Sequence, residues 1–381
     1  MRDKFLELLR KYPILTVTGP RQSGKTTFLK ALLPHYTYVS LENVDLREFA
    51  GSDPKRFLNE YPAQVIIDEA QHVPQLFSYI QTLVDEDRIP GRFVLSGSQN
   101  FLLSQSVSQS LAGRTGIFKM LPLSIQELRE SDQLPELDMM IVKGGYPAIY
   151  AHHFDPQDWY ADYVETYLQK DVSQIKKITD LRAFKNFLMQ CAVRNGQVLN
   201  MSSLGRDCGV SHNTIREWLA VLEASYIIFL LEPYTAKLST RLIKAPKLYF
   251  LDSGLLAHLL RIANVDQLKT NPYRGPLFES LVISDLIKAF FCRKQRFLGS
   301  YLRDTKGHEV DLIMESANEK KMVEIKSGST IQSAFFGNLT YFQDKLGDSV
   351  STWVVYGGDT RHDRSSASIV PWRQLPDPLV S

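Results

Sequence analysis

Cysteine is scarce: Cys191, Cys208 and Cys292 lie far apart and form no C-x-x-C pair. This excludes a disulfide framework and a cysteine-based zinc site, and fits a reducing compartment. No apolar run approaches the roughly 20 residues of a membrane span. The start, MRDKFLELLRKYP, is amphipathic and lacks the apolar core of a secretory signal. The expectation is a cytoplasmic protein with no membrane partner. An excess of one charge is also missing, with 44 Lys and Arg against 42 Asp and Glu. A net charge of +2 gives no general attraction for nucleic acid, so any such surface must be local. Internal repeats and low-complexity stretches are absent. The hydrophobic share of 44% and 381 residues describe a globular chain of two or three domains.

What is present begins at Ile14. Ile14-Leu15-Thr16-Val17 is a short apolar run that predicts a buried strand. Gly19-Pro20-Arg21-Gln22-Ser23-Gly24-Lys25-Thr26 then fits G-x-x-x-x-G-K-[ST] at every fixed position. Phe28 to Leu33 predicts the helix that such a loop must open. Glycines let backbone N–H groups turn inward around phosphate oxygens, and the helix N-terminus adds to the attraction. Lys25 would reach the β- and γ-phosphates and Thr26 would hold Mg²⁺. Gly19 to Thr27 is therefore the expected ATP-binding segment, with ATP and Mg²⁺ as cofactors.

Val65-Ile66-Ile67-Asp68-Glu69 reads as an apolar strand ending in two carboxylates. Asp68 would bind Mg²⁺, directly or through water, and Glu69 would polarise the attacking water. Asp53 before Pro54 predicts a helix start. Arg92 to Gln99 is a further apolar strand ending in small polar residues.

GPRQSGKTT, VIIDEAQ, LSGSQNFLL, and SLAGRTG followed by LPLSIQEL together resemble a prokaryotic AAA-type ATPase family. The likeness continues through Gly144-Gly145-Tyr146-Pro147, Tyr160 to Tyr167 and Lys244 to Gly254, and covers almost the whole chain. The resemblance implies a C-terminal domain of unknown function, a winged-helix-like middle and a nuclease-like end. It implies a polar sensor on the strand ending near Gly97, with Ser96 and Ser98 both open. It also implies an arginine finger at Arg114, inserted into a neighbour's site, and so a homo-oligomer.

In the middle third, Pro156 to Lys177 reads as helical, with Trp159, Tyr163 and Tyr167 on one stripe. Such a stripe is ordinarily core. A short helix starting with Ser202 to Arg206, a turn at Cys208-Gly209-Val210 and a second helix His212 to Leu222 capped by Ser211 fit a helix-turn-helix. Tyr226 to Pro233 follows as a strand. Its second helix would offer His212, Asn213, Arg216 and Glu217 to nucleic acid, or serve only as packing.

In the last third, Leu277 to Phe291 predicts a helix carrying Glu279. Three strands follow, and Asp311 with Glu324-Ile325-Lys326 resembles the D…E-x-K core of restriction-endonuclease-like proteins. Alternation along a strand points Glu324 and Lys326 to one side, where Asp311 on the neighbouring strand can face them. Two such carboxylates suit Mg²⁺, Lys326 suits a phosphate or water, and Glu279 would complete the set. Cleavage of DNA or RNA and mere binding of a partner are both open. Pro371 to Ser381 is expected to be a loose tail.

The expected fold is α/β. A P-loop (RecA/AAA-like) parallel-sheet core spans 1–135, a helical linker or lid 136–180 and a winged-helix-like region 181–240. A connector spans 241–275 and a restriction-endonuclease-like α/β domain 276–381. The expected function is ATP hydrolysis that couples nucleotide-driven assembly to a nucleic-acid-directed end. The alternative is a nucleotide-dependent switch or scaffold that cleaves nothing.

Overall fold

The computed structural model describes residues 1–97, 110–167, 178, 180–235, 243–315, 319–346 and 350–380. Five strands form the first sheet: β1 (Ile14–Thr18), β2 (Thr37–Ser40), β3 (Val65–Asp68), β4 (Phe93–Gly97) and β5 (Thr115–Lys119). All neighbours are parallel, in the order β2-β3-β4-β1-β5. β1, β3 and β4 are buried along their whole length, as parallel strands covered on both faces must be. One face packs on helices Val44–Ser52, Pro54–Glu60 and Leu76–Glu86. The other packs on helices Arg2–Leu9 and Lys25–Leu32. Leu76, Phe77, Ile80 and Val84 recur at helical spacing and are all buried. Each contributes roughly 1.5–3 kcal/mol by leaving water. Asp53 caps its helix, accepting from the Arg56 N–H at 3.1 Å. β1 lies between β4, which precedes β5 in the chain, and β5 itself, so the strand order reverses there. Its carboxyl end is where such sheets bind ligands.

The middle is helical. Pro156–Tyr167 is a helix, and the remainder of the helix expected to Lys177 lies outside the described residues. Trp159 and Tyr163 are buried and stack at 5.2 Å, with Tyr146 against both. Helices Met201–Cys208 and His212–Ala224 are joined by Gly209 at φ 69, a left-handed turn that favours glycine. Ser211 caps the second helix, accepting from the Thr214 N–H at 3.1 Å. Ile215, Leu219 and Leu222 face the core, while His212, Asn213, Arg216 and Glu217 are exposed. β6 (Ile228–Leu231) follows and pairs antiparallel with β7 (Lys247–Phe250). The stretch expected to be only a connector thus carries β7 and the helices Ser253–Leu259 and Val265–Lys269.

The last region is a six-stranded mixed sheet in the order β12-β13-β11-β10-β9-β8. It contains β8 (Gly299–Arg303), β9 (Glu309–Glu315), β10 (Lys320–Lys326), β11 (Val350–Tyr356), β12 (His362–Arg364) and β13 (Ala367–Pro371). β8, β9 and β10 are antiparallel, and β11 is parallel to β10. Helix Arg274–Cys292 precedes β8, and helix Gly337–Leu346 lies between β10 and β11.

Helix Arg274–Cys292 is buried on nearly every side from Leu277 to Ala289, far beyond one amphipathic stripe. Its neighbours explain this. Asp285 accepts the Ile125 N–H at 2.7 Å, and Lys288 donates to the Leu123 carbonyl at 3.0 Å. One continuous apolar cluster runs from Leu121 to Val380. The expected loose tail is part of that cluster, which is a correction. Trp372, Leu375, Leu379 and Val380 are buried, Asp377–Val380 is helical, and Arg293 donates to the Val380 carbonyl. Apolar burial outweighs the tendency of a short segment to fray.

Candidate functional site

The loop after β1 has the backbone its glycines predict. A Cβ on Gly19 would stand 1.9 Å from the Met120 carbonyl oxygen, so no other residue fits. Gln22 and Gly24 have φ of 58 and 88, turning the chain tightly before the helix. Lys25 opens that helix and is only 6% exposed. Its ammonium donates to the Gly19 and Pro20 carbonyls at 2.9 and 2.7 Å. Ser23 Oγ is buried without a hydrogen-bond partner.

Asp68 ends β3 beside this loop. It accepts hydrogen bonds from Thr26 at 2.8 Å, Tyr38 at 2.6 Å and Ser96 at 2.5 Å. Burial and the Asp68 charge raise the Tyr38 phenol well above its ordinary pKa, so it remains a donor. Of the two serines left open by the sequence, Ser96 is on Asp68, and Ser98 lies outside the described residues. Glu69 has the left-handed φ of 53 and accepts from the Gln71 amide. Tyr38 was not foreseen, because a tyrosine in a strand reads as core.

A cavity of about 1000 Å³ opens over the loop. Arg21, Lys25, Thr26 and Glu69 line it. Leu123, Glu127, His152 and Tyr163 also line it, so residues of the helical middle contribute to the same cavity. Arg114 is elsewhere. It precedes β5, whose first residue pairs with Ile14, at the opposite end of the sheet from the loop. There it makes a two-pronged ion pair with Asp85 at 2.6 and 2.7 Å. At about 3.3 Å per strand residue it is roughly 15 Å or more from its own Lys25 loop.

The second group of sequence-predicted residues meets in the last sheet. β9 and β10 pair only as far as Leu312 and Val323. Asp311 and Glu324 stand immediately past that point, where the strands fork. The Ile325 N–H, freed from the ladder, donates to Asp311 Oδ2 at 2.7 Å. On the other edge, Ser300 faces Ile313 and Leu302 faces Val310, so β9 carries a bulge at Asp311-Leu312. Bulges re-aim side chains in this way. Lys326 Nζ lies 2.6 Å from Glu324 Oε1 and 3.9 Å from Asp311 Oδ2. Glu324 Oε2 is buried with no partner. Burial and the nearby Asp311 push the Glu324 carboxyl up to about 8, against the pull of Lys326.

Glu279 is placed differently. Its Oε1 accepts from the Tyr249 hydroxyl at 2.5 Å and faces Lys247 Nζ at 3.5 Å. Lys247 is 2% exposed and also donates to Glu309, whose other oxygen is 3.2 Å from Arg303. Burial pushes the Glu279 carboxyl up to about 7, against Lys247. Among the described residues, no group of three or more His, Cys, Asp or Glu side chains is gathered closely enough to hold a metal ion. Asp311 and Glu324 come together, whereas Glu279 stands with Lys247. The one sequence signal for Lys247 was a lysine inside the apolar strand KLYF.

Three family assignments tile the chain. Residues 11–129 match an AAA domain, 134–266 the domain of unknown function DUF8612, and 274–375 the domain of unknown function DUF4143. An uncharacterized protein of Mycobacterium tuberculosis is 30% identical over 327 residues, which are 84% of this chain and 72% of that protein. An uncharacterized protein of Methanocaldococcus jannaschii is 23% identical over 82% of this chain and 74% of its own length. Among solved structures, the Walker-type ATPase of Pyrococcus abyssi is 14% identical, covering 68% of this chain and 94% of that one, with a TM-score of 0.45. No helix among the described residues is long and apolar enough to cross a membrane. With its complete P-loop and its parallel sheet, the chain belongs to the family, shared with the mycobacterial protein, that joins an AAA domain to a C-terminal DUF4143 domain.

Proposed function

We propose that the chain binds and hydrolyses ATP and uses that cycle to control its C-terminal region, which acts on nucleic acid. The observation that carries the first half is the Thr26–Asp68 hydrogen bond, 2.8 Å long, beneath the Lys25 loop and beside the large cavity. A hydroxyl and a carboxylate brought together offer the hard oxygen ligands that Mg²⁺ takes alongside phosphates. The buried, unpartnered Ser23 Oγ and the Gly19 cradle fit the same purpose. When bound, Mg²⁺ supplies positive charge to the β- and γ-phosphates. Lys25 exchanges its two carbonyl partners for phosphate oxygens. Ser96, through Asp68, fixes the carboxylate and serves as the polar sensor. Glu69 orients and polarises the attacking water. Arg114 cannot reach this site in its own chain, so its role as an arginine finger requires a second copy.

The second half rests on the fork. Asp311, Glu324 and Lys326 lie together at the fork, which supports D…E-x-K chemistry there. The unpartnered, buried Glu324 Oε2 is an acceptor that a divalent cation would satisfy. Asp311 and Glu324 would hold it, and it would supply a nucleophilic hydroxide at neutral pH. Lys326 steadies the phosphate or the water. The middle region would act as a winged helix, with His212, Asn213, Arg216 and Glu217 on the nucleic-acid side.

The test is phosphate release by the full chain with ATP and Mg²⁺, alone and with varied DNA and RNA whose cleavage is followed on gels. Glu69→Gln should retain ATP and lose turnover by about a hundredfold or more. Turnover at the wild-type rate in that variant would remove Glu69 from the mechanism. Hydrolysis without cleavage of any substrate would leave a nucleotide-dependent switch whose end only binds a partner.

A further inference from the structure

Four carboxylates gather around the fork: Glu279, Glu309, Asp311 and Glu324. Three cations face them: Lys247, Arg303 and Lys326. The pairing is uneven. Both oxygens of Glu309 are taken, one by Lys247 and one by Arg303. Glu279 Oε1 receives the Tyr249 hydroxyl at 2.5 Å and the Lys247 ammonium at 3.5 Å. Of these four carboxylates, Glu324 alone keeps a buried oxygen with no partner among the described residues. Lys247 and Tyr249 do not come from the last sheet at all. They sit on β7, which pairs with β6 of the middle region. At 2% exposure, Lys247 is buried. Burial works against its charge, yet Glu279, Asp311 and Glu309 hold its pKa above the usual lysine value.

We propose that Lys247 is a positioning residue that withdraws Glu279 and Glu309 from metal binding and leaves one divalent-cation site, formed by Asp311 and Glu324. A buried ammonium fixed on a carboxylate occupies its lone pairs and repels a second cation, whereas Lys326, 35% exposed, can swing aside from Glu324. A hard divalent ion needs several free oxygens, and here those lie on the Lys326 side of the fork. The middle region thereby sets the metal count of a site whose ligands lie in another region. The inference rests on reading Asp311 and Glu324 as cation ligands.

The experiment adds Mn²⁺ to the full, chelator-stripped chain without nucleotide and counts bound ions by paramagnetic resonance of the free ion. Subtracting the Asp311→Asn variant gives the number of sites that depend on Asp311. One site is expected. Glu279→Gln should shift its affinity by less than about twofold, whereas loss of a ligand weakens binding by about tenfold or more. Lys247→Met should release Glu279 and create a second site, lost again when Glu279→Gln is added. If circular dichroism shows Lys247→Met unfolded, the Glu279→Gln titration alone decides. Two Asp311-dependent ions in the wild type, a tenfold loss in Glu279→Gln, or a folded Lys247→Met that still binds one ion would each overturn the proposal alone. No Asp311-dependent ion in the wild type would overturn the cation reading and the proposal with it.

Discussion

Asp68 and the Asp311–Glu324 pair are both carboxylates at strand ends, yet they are held in opposite ways. Asp68 is surrounded by neutral hydroxyl donors from Thr26, Tyr38 and Ser96, all within one parallel sheet and its adjoining loop. Neutral donors fix its position and place no competing cation on it. Asp311 and Glu324 pair with Lys326, and the carboxylates beside them, Glu279 and Glu309, pair with Lys247 from another region. Crowded, buried carboxylates resist ionising together, and Glu324 is pushed up to about 8 by burial and by Asp311. The carboxylate Asp68 is held by local structure alone. The second site is a compromise among distant segments.

The largest expected effect tests whether the two sites are independent. Lys25→Ala removes the one ammonium in the phosphate loop, and phosphate release at saturating ATP should fall by at least about a hundredfold. Its Asp311-dependent Mn²⁺ binding should be unchanged. Asp311→Asn should do the reverse, losing the Mn²⁺ and leaving hydrolysis within about twofold. A variant that disables both sites would break the comparison.

A smaller effect concerns the clasp between the regions. Burial pushes the Asp285 carboxyl up to about 6 from 3.8, against the pull of Lys288. The folded chain therefore binds more protons there than the unfolded chain over this interval. This position's contribution to stability is full below about pH 4 and is lost as pH rises through about 6. Between about pH 4.5 and 7.5 the wild type should lose about 2 kcal/mol more stability than Asp285→Asn. Urea unfolding at the two pH values measures this, and equal slopes would show that Asp285 ionises freely. The smallest effect is that of Tyr38→Phe. Two hydroxyls remain on Asp68, so turnover should change by less than about tenfold, as phosphate-release assays would show.

The same contrast explains what the sequence disclosed. The loop after β1 is contiguous, and its glycines, lysine and threonine lie within a few residues, so its backbone geometry was readable. Asp68 was readable because it closes a wholly apolar strand. Glu324 and Lys326 were readable from strand alternation. The fork was not, because it depends on where the pairing of β9 and β10 stops and on a bulge opposite Tyr301. Nothing in single-strand patterning reports either. Lys247 was invisible as a partner of Glu279 because the two are distant in sequence and meet only after β7 docks on the long helix. The placement of Glu279 differs from expectation for that reason. The final segment reads as a fraying terminus, although Trp372, Leu375 and Leu379 have helix-like spacing.

The shared apolar cluster from Leu121 to Val380 bears on how such chains can be recombined. The family assignments change at residue 274, yet a cut there would separate Lys247 and Tyr249 from the carboxylates they hold. It would also strip helix Arg274–Cys292 of the backbone groups that Asp285 and Lys288 grip. A graft of the last region alone would expose the apolar flanks of that helix and carry Glu279 without its counter-charge. A piece that moves with these contacts intact therefore starts before Leu123, and the Thr18–Tyr226 hydrogen bond, 3.2 Å long, must be rebuilt across its junction with the first sheet.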